Sequence, residues 1–394
     1  MTTFTPMARA LPARRLGLAG HEQAHGVLPL AAFDGREGRR RLIAEVTAAG
    51  LRGRGGGGFP TARKLAAVRG RRPIVVANGC EGDPLSSKDR TLLGLAPHLV
   101  LDGIQLAAHA VAATEAVLCL HEGSRARASV EGALAERRAD PVPVRIVDVP
   151  PRYVASEESA LVHYLTTGDA RPTGKEPRPA ERGVDRRPTL VDNVDTLAQL
   201  ALIARQGAGT YRRTRMDLVT INGAVRQAGV LEVPPETTAA ELIGYAGGPA
   251  RPVQAVLMGG YGGTWLPWTA ATAAGPAVGA APGIASMHVL PASACGLAFT
   301  AKVLTHLADE SARQCGPCMF GLPAIAADLT GLVAGDRHTL GRLERRLPLV
   351  TGRGACAHPD GAVRLAASAL RVFGQDVTAH LRERRCTAHY GGSR

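Results

Sequence analysis

Short apolar runs alternate with segments of helical periodicity through the first half of the chain. The runs are typical of buried strands, and the segments between them repeat apolar residues every three or four positions, as amphipathic helices do. The predicted strands are 74–77, 115–120 and 142–149. The predicted helices are 41–49, 61–68, 96–113, 124–138 and 157–166. This alternation predicts an α/β fold with a mainly parallel sheet.

The pattern changes after about residue 212. A small α+β module is predicted there, because short strands surround one short helix. Its strands are 217–223, 229–233 and 254–258, and its helix is 238–244. Residues 265–285 are rich in Ala, Gly and Pro, which indicates a loop or linker. Helical periodicity then returns at 296–309, 322–333, 338–348 and 361–384. We therefore predict three domains: an α/β domain at 1–212, a small domain with its linker at 213–285, and a helical bundle at 286–394.

Composition narrows the class of protein. The 394 residues are 45% hydrophobic, enough for several cores, and no apolar run reaches the roughly 18 residues that span a bilayer. We expect a cytoplasmic protein, possibly peripheral to a membrane complex but not embedded in one. The net charge of +13 suits an acidic partner, whereas a nucleic-acid role is not expected, since aromatics are only 4% and the arginines are spread along the chain.

Cysteine and lysine are the residue types that point to chemistry. Seven cysteines, an odd number, argue against a disulfide framework, and Cys315 and Cys318 form a Cys-x-x-Cys pair typical of metal or redox sites. Lysine occurs only four times, at Lys64, Lys88, Lys175 and Lys302. A chain that uses arginine almost everywhere else is expected to keep lysine where a compact point charge is needed.

Four polar motifs lie at predicted strand ends and helix starts. Six glycines fall within 50–58, just before a helix, where backbone amides and the helix terminus could hold a phosphate; a purely structural loop is the alternative. Residues 78–84 directly follow a strand, where α/β proteins bind ligands, although an ordinary turn has the same composition. The adjacent carboxylates at 157–158 and the polar run 192–196 could equally be helix caps.

Taken in order, these motifs resemble one family. The motifs are Gly-Arg-Gly-Gly-x-Gly-Phe-Pro from 53, Asn-x-x-Glu-x-x-Pro from 78, Lys-Asp-Arg from 88, Tyr-x-x-x-Glu-Glu-x-Ala-Leu from 153 and Pro-Thr-x-x-x-Asn-Val-x-Thr-Leu-Ala from 188. They resemble the NADH-binding flavoprotein subunit of respiratory complex I and related soluble diaphorase subunits, over residues 30–386. The resemblance implies a Rossmann-like flavin- and nucleotide-binding domain, a ubiquitin-like (β-grasp, soluble-ligand-binding) domain and a helical iron–sulfur domain.

The resemblance also implies a set of binding residues. The positions that match the family's FMN site are Gly53, Gly55, Gly56, Lys64, Asn78, Glu81, Tyr153, Glu157, Asp192, Asn193 and Thr196. The positions near the NADH of that family are Phe59, Asp83, Glu158, Lys175 and Arg178. In this interpretation backbone amides and Lys64 meet the flavin phosphate, and polar side chains fix the ribityl chain and the ring edges.

Several positions depart from the family pattern. Cys80 replaces an acidic residue, Asp192 an asparagine, and Asp83 a longer glutamate. Two aromatics that flank the adenine of NADH are replaced by Ala67 and Arg178. Arg178 leaves NADPH open as a donor, because its guanidinium could pair with a phosphate.

The iron–sulfur site is also altered. The resemblance assigns Cys315, Cys318 and Cys356 as ligands, but Ala312 stands where the family has its first cysteine. Three thiolates could hold a 3Fe-4S cluster, or a 4Fe-4S cluster whose fourth iron has another ligand. Candidates for that ligand, none at the family's spacing, are Cys295, His306, His358 and Cys386. Alternatively the cysteines no longer bind metal.

The predicted activity is NAD(P)H:acceptor oxidoreduction of the diaphorase type. Electrons pass from NAD(P)H through FMN and an atypical iron–sulfur cluster to a protein acceptor, such as a ferredoxin or a thioredoxin-like iron–sulfur subunit, and no protein acid or base is required. Two alternatives stay open: a scaffold or assembly subunit that has lost its chemistry, and a flavoprotein that receives electrons from ferredoxin.

Overall fold

The first half of the chain forms a four-stranded parallel sheet with helices around it. The computed structural model describes residues 10–174, 176–275, 285–384, 386 and 388. The strands are β1 (Ile74–Asn78), β2 (Ala116–His121), β3 (Val144–Val149) and β4 (Thr189–Asn193), in the order β3-β2-β1-β4. The predicted parallel α/β fold is confirmed. Strand β4 is not predicted from the sequence, because it is short and ends in polar residues that are typical of a helix cap.

Two helices form the centre of the first core. The helices of this part are α1 (Leu18–His25), α2 (Gly35–Ala49), α3 (Thr61–Ala67), α4 (Lys88–Leu95), α5 (Pro97–Val111), α6 (Arg127–Glu136), α7 (Glu158–Thr167), α8 (Pro179–Arg182) and α9 (Val194–Thr214). Almost every residue of α5 is buried, consistent with its continuous apolar sequence. It crosses α9 so closely that a Cβ on Gly103 would lie 1.9 Å from the carbonyl oxygen of Leu197.

A second, five-stranded sheet follows. Its strands are β5 (Asp217–Gly223), β6 (Gly229–Val233), β7 (Val253–Met258), β8 (Thr264–Pro267) and β9 (Ser286–Pro291), in the order β6-β5-β9-β7-β8. Strands β5 and β9 are parallel and the other pairs antiparallel. Helix α10 (Ala239–Tyr245) starts with a capping box formed by Thr238 and Glu241, and it packs Leu242 and Ile243 on the sheet.

The second sheet extends past the predicted boundary at residue 285. Strand β9 begins at Ser286, and β8 with the short helix α11 (Ala270–Ala273) lies within the segment predicted to be a linker. The part of that segment from 276 to 284 lies outside the described residues. The low complexity of 265–285 therefore conceals an edge strand that pairs with β7.

Helices form the rest of the chain. They are α12 (Gly296–Asp309), α13 (Leu322–Val333), α14 (Thr339–Val350), α15 (His358–Val372) and α16 (Gly374–Glu383). A π-helical turn, Pro317–Gly321, leads directly into α13. The single helix predicted at 361–384 is two helices, which meet at Phe373. The Phe373 ring fills the space beside Gly296 and lies 5.2 Å from the ring of Trp265, so packing fixes the break.

Among the residues that the structure describes, no single helix is both long and apolar enough to cross a membrane. Only α4 and α5 together, which meet at 98°, pass such a test by length and composition.

We predict that Gly103→Ala destabilises the protein by about 3 kcal/mol, because the new methyl group forces α5 away from the backbone of α9. Gly94→Ala is the matched control: a methyl group added to this helical glycine would have no atom within 4 Å, and alanine is the better helix former by about 0.5–1 kcal/mol. Urea denaturation of both variants checks this, and equal stabilities would contradict the assigned packing.

Candidate functional site

The candidate site lies at the carboxyl ends of two neighbouring strands. Strands β1 and β4 pair in parallel with Asn78 opposite Asn193, so the segments that follow them leave the sheet side by side. Ligands of open α/β sheets bind outside this edge. The acidic loop, residues 79–87, follows β1, and α9 begins directly after β4. The sheet therefore brings together two motifs that are more than a hundred residues apart.

The glycine loop, residues 53–58, is fixed at its base over the start of α9. The backbone N–H of Arg54 donates to Thr196 Oγ1 (2.9 Å), and the Arg54 guanidinium lies 2.8 Å from the Asp217 carboxylate of β5. Burial alone lowers the pKa of Arg54, but Asp195 and Asp217 outweigh it and raise the pKa overall. The loop is thus anchored to both sheets.

The tip of the glycine loop is open to solvent. Gly55, Gly56 and Gly57 line this opening, and Cβ atoms on Gly56 and Gly57 would meet nothing within 4 Å. At Gly55 a Cβ would come within 3.3 Å of the Cβ of Asn193, and Gly56 has a φ of +97° that favours glycine. Backbone amides are accessible here beside the polar end of β4, a suitable arrangement for binding an anion.

Lys64 and Asp192 form a charged pair beneath one side of the site. The Lys64 ammonium donates to Glu158 Oε1 (2.8 Å) and to the carbonyl oxygen of Val191 (2.9 Å), and it lies 3.8 Å from Asp192 Oδ1. Burial alone lowers the pKa of Lys64, but Asp192 and Glu158 raise it overall. Lysine is therefore charged here and shared between two carboxylates.

The Asp192 carboxylate is buried and only partly satisfied. It is 3% exposed, and its Oδ2 has no hydrogen-bond partner among the described residues. Burial raises the pKa of Asp192 to about 6, with Lys64 opposing and Glu158 adding to the rise. An asparagine here, as in the family pattern, would place no charge against Lys64. This substitution therefore makes Lys64 less available to a bound anion.

The other polar residues of the predicted FMN site hold the surrounding loops. Asn78 donates to the carbonyl oxygen of Ser156 and accepts from the N–H of Cys80. Asn193 caps α9 through Asp195 N–H and donates to Asp89. Glu81 accepts from Ser86 Oγ (2.6 Å) and from backbone amides at the start of α4.

Lys88 is a functional candidate that the motifs did not assign. Its ammonium is almost completely buried, donates to Asp89 and Asn193, and lies 3.5 Å from Asp195. Burial alone lowers the pKa of Lys88, but Asp89 and Asp195 raise it overall. The scarcity of lysine was the sequence signal that could have identified it.

Cys80, the replacement for an acidic residue, is a buried thiol. It lies near Cys119 of β2, and burial raises the pKa values of both thiols, that of Cys119 to about 12. Neither thiol ionises near neutral pH, so Cys80 contributes no negative charge to the site.

Tyr153 and Glu157 connect this site to the helical part. The backbone N–H of Tyr153 donates to Glu310 Oε2 (3.0 Å), and the Tyr153 ring lies 5.2 Å from that of His358 and 6.4 Å from that of His306. Burial raises the pKa of Tyr153. Glu157 caps α7 by accepting from Ser159 and Ala160 N–H. The sequence motifs indicated the tyrosine but not its histidine neighbours.

The residues predicted to lie near NAD(P)H are less concentrated. Glu158 pairs with Lys64 as described, and the Arg63 guanidinium lies 5.4 Å from the centre of the Phe59 ring. Asp83 is engaged by the N–H groups of Leu85 (2.9 Å) and Tyr261 (2.8 Å), and burial raises its pKa. Arg178 lies 3.5 Å from Glu176 on an exposed segment, and Lys175 lies outside the described residues.

Cys315, Cys318 and Cys356 form one sulfur cluster. Cys318 contacts Cys315 and Cys356, and burial raises the pKa of Cys318 to about 12 and that of Cys356 as well. Burial also acts against ionisation of Cys315, but the backbone N–H groups of Ala355 and Cys318 outweigh it and lower the pKa overall. The backbone N–H of Ala312 contacts the Cys318 sulfur, so the first family position offers no thiolate.

These donors fit the groups that the sequence predicts. The open glycine amides fit a phosphate, and the unpartnered Asp192 Oδ2 fits a polar ring edge. The sulfur cluster fits an iron–sulfur group with three thiolate ligands. Within the described part of the chain a fourth thiolate is lacking, because Cys80 and Cys119 lie in the first sheet region and Cys295 with Cys386 groups around His380.

We predict that Asp192→Asn raises the free energy of unfolding by about 3 kcal/mol at pH 8 and leaves it unchanged near pH 3.5. The folded pKa of about 6 exceeds the ordinary 3.8, so protonation favours the folded chain. This contribution is complete below pH 3.8 and is lost as the pH rises through about 6. Urea titrations across this range test it, with exposed Asp185→Asn as the control. A pH-independent difference would refute the assignment.

Two family models match the chain. Residues 46–202 match the Nuo51 FMN-binding domain, and residues 298–380 match the NADH-ubiquinone oxidoreductase-F iron-sulfur binding region. The first range contains the glycine loop and both strand ends, and the second contains the sulfur cluster. The predicted FMN and iron–sulfur cofactors are thereby confirmed at the level of the family.

Known proteins resemble the chain over most of its length. The second of the NADH-quinone oxidoreductase F subunits of Rhizobium meliloti is 31% identical over 88% of this chain and 90% of its own length. The NADP-reducing hydrogenase subunit HndC of Solidesulfovibrio fructosivorans is 27% identical over 88% of this chain and 77% of its own. The crystal structure of an NAD+-reducing [NiFe]-hydrogenase in the H2-reduced state superposes with a TM-score of 0.83 and 30% identity, over 94% of this chain and 68% of that one.

The motifs, the arrangement of the site and these matches agree, and they confirm the resemblance that the sequence predicts. The protein belongs to the family of NADH-quinone oxidoreductase F subunits, as a divergent member.

Proposed function

We propose that the protein oxidises NAD(P)H and passes the electrons through FMN and an iron–sulfur cluster to a protein acceptor. One observation carries the proposal: the predicted flavin site and the sulfur cluster share a border. Glu157 lies close enough to Cys356 to help raise its pKa, and the Tyr153 ring packs on His358, two residues after Cys356. Electrons would therefore have a short protein path between the two groups.

The residues at the strand ends would hold FMN. The amides of Gly55 and Gly56 would bind its phosphate, with Lys64 supplying positive charge once it is drawn from Glu158. Bound FMN would supply the conversion of a two-electron hydride donor into single-electron transfer. Asp192, with its pKa of about 6, would hold a proton at Oδ2 at mildly acidic pH and could then donate a hydrogen bond to the ring edge.

The nicotinamide donor would bind at the open side of this site. Phe59 offers an aromatic surface next to the glycine loop, and the Glu158 side chain is 40% exposed. Arg178 is exposed beside its acidic neighbour Glu176, so its guanidinium can contact a phosphate of the donor. That arrangement supports NADPH alongside NADH, as does similarity to a relative named an NADP-reducing hydrogenase subunit. Lys175 and Asp83 complete the proposed set.

The sulfur cluster would hold an iron–sulfur group with three cysteine ligands. Cys315, with its lowered pKa, is the first thiol to ionise. A 3Fe-4S cluster, or a 4Fe-4S cluster with a non-cysteine ligand at the fourth iron, matches this donor set. His358 does not supply that ligand through Nε2, which lies 2.8 Å from the carbonyl oxygen of Leu307.

The domain plan supports this assignment. We assign 1–212 as a Rossmann-like flavin- and nucleotide-binding domain and 213–285, extended by β9, as a β-grasp domain. The central parallel pair β5–β9, the flanking antiparallel strands and α10 on one face support the β-grasp assignment. The helices of 286–394 form the iron–sulfur domain, which contains all three ligand cysteines.

An acidic iron–sulfur protein is the proposed acceptor, either a ferredoxin or a thioredoxin-like subunit. Met319 and Phe320, directly after Cys318, are 49% and 71% exposed, and Leu349 is 58% exposed. These three form the acceptor patch: a Cβ on Gly321 would contact Val350, so the end of α14 adjoins the π-helical turn. The net charge of +13 favours an acidic partner, and we place the protein in the cytoplasm or on the periphery of a membrane complex.

We predict that the protein, reconstituted anaerobically with FMN, iron and sulfide, loses its flavin absorbance on addition of NADH or NADPH. Lys64→Ala should weaken FMN binding about tenfold or more by removing the lysine ammonium placed beside Asp192, and Lys302→Ala, an exposed lysine of α12, should bind FMN normally.

Each other result favours a different function. Binding of neither FMN nor iron would support the scaffold alternative. Flavin that resists both nicotinamides but is bleached by reduced ferredoxin would support the ferredoxin-linked flavoprotein.

We predict that Phe320→Ser slows electron transfer to the acceptor protein about tenfold while NAD(P)H reduces the flavin at the normal rate, because the exposed ring anchors the partner and not the donor. Tyr245→Ser, which changes an exposed aromatic on α10, is the matched control. Stopped-flow measurement of the two half-reactions tests this. An equal loss in both variants would place the acceptor elsewhere.

A further inference from the structure

Two cysteines and a histidine outside the sulfur cluster meet near the end of the chain. Cys295 precedes α12, His380 lies on α16, and Cys386 follows that helix. The Cys295 sulfur lies 3.4 Å from His380 Nε2, and the ligand atoms of all three residues lie within 4.8 Å of one another. His380 is 4% exposed and Cys386 is 9% exposed, so the group is largely shielded from solvent.

Local structure positions each of the three side chains. The Cys295 sulfur accepts from the N–H of Ala298 (3.3 Å), which fixes it as the N-cap of the fourteen-residue helix α12. Helix α16 ends at Arg384, whose left-handed φ of +51° turns the chain so that Cys386 comes back beside His380. Nδ1 of His380 is buried without a hydrogen-bond partner among the described residues, so Nε2 makes the polar contact of the ring.

We propose that Cys295, His380 and Cys386 bind a zinc ion, separate from the iron–sulfur cluster. Zinc–sulfur bonds of about 2.3 Å and zinc–nitrogen bonds of about 2.0 Å, at a tetrahedral angle, place sulfur and nitrogen about 3.5 Å apart. The observed separation of 3.4 Å is close to that value. Two thiolates neutralise the charge of Zn2+, so a shielded site holds no excess charge.

Binding exchanges protons for the metal. Zn2+ replaces the two thiol protons, which pass to solvent, and the neutral imidazole donates its Nε2 lone pair. No electron is transferred. A water molecule or an added thiolate completes the fourth position, as in zinc sites with three protein ligands. The ion would join the turn after α16 to the start of α12, and it would stabilise the end of the helical domain.

This zinc site shares no ligand with the proposed electron path. Cys315, Cys318 and Cys356 contact one another, whereas Cys295 contacts Cys386 and His380. The two candidate fourth ligands of the cluster, Cys295 and Cys386, are therefore engaged elsewhere. The inference is independent of the flavin chemistry and is tested by metal content and thiol reactivity.

The test begins with the full-length protein purified without chelators and loaded with Zn2+. Elemental analysis is expected to give about one zinc per chain. Cys318→Ser should lose iron and keep zinc, whereas Cys295→Ser and His380→Ala should lose zinc and keep iron. Cys119→Ala, which alters another buried cysteine, should keep both. Zinc at background in the wild type, or retained in Cys295→Ser, would overturn the proposal.

A second measurement uses only the wild-type protein, in case the variants do not fold. Bound Zn2+ should slow alkylation of Cys295 and Cys386 at least tenfold, measured by peptide mass spectrometry, and a zinc chelator should restore the rate. Co2+ in place of zinc should give the absorption of a tetrahedral cobalt–thiolate site. Unchanged alkylation with Zn2+, or a Cys295–Cys386 disulfide in protein alkylated under anaerobic conditions, would refute a zinc site.

Discussion

The structure depends on a buried positive charge beneath the candidate site. The Lys88 ammonium is enclosed by Asp89, Asn193 and Asp195, which belong to the start of α4, the end of β4 and the start of α9. A buried ion pair adds little net stability, but loss of one partner leaves an uncompensated charge that costs about 3–5 kcal/mol. The three segments must therefore meet in a single arrangement, and the glycine loop rests on that arrangement through Thr196.

Polar contacts between the three parts of the chain then define the edges of the site. Arg54 of the glycine loop reaches Asp217 in the second sheet, and the acidic loop contacts the same sheet through Asp83 and the N–H of Tyr261. Glu310 of the helical part accepts from the N–H of Tyr153. These contacts make the second sheet a support for the flavin-side loops, although none of its residues was expected in the site.

The sequence allows the elements and the motif positions to be predicted better than their interactions. Apolar runs and helical periodicity are local, so β1, β2 and β3 lie where the pattern predicts them. Strand β4 escapes prediction because its meaning depends on pairing with β1, a partner more than a hundred residues away. The same limit applies to Asp83, whose carboxylate turns out to hold a backbone amide of another domain, and to the grouping of Cys295 with Cys386 around His380.

The strand order of the second sheet has a consequence for how the protein is made. Strand β9 is the last of its five strands to be synthesised, yet it lies in the middle, between β5 and β7. The β5–β6 and β7–β8 hairpins can form early, since their contacts are local, but they cannot join until the ribosome has released Pro291. The first sheet is complete in sequence at Asn193. A nascent chain thus holds the flavin-side loops without their full support until about three quarters of it has emerged, an interval in which a chaperone would find them exposed.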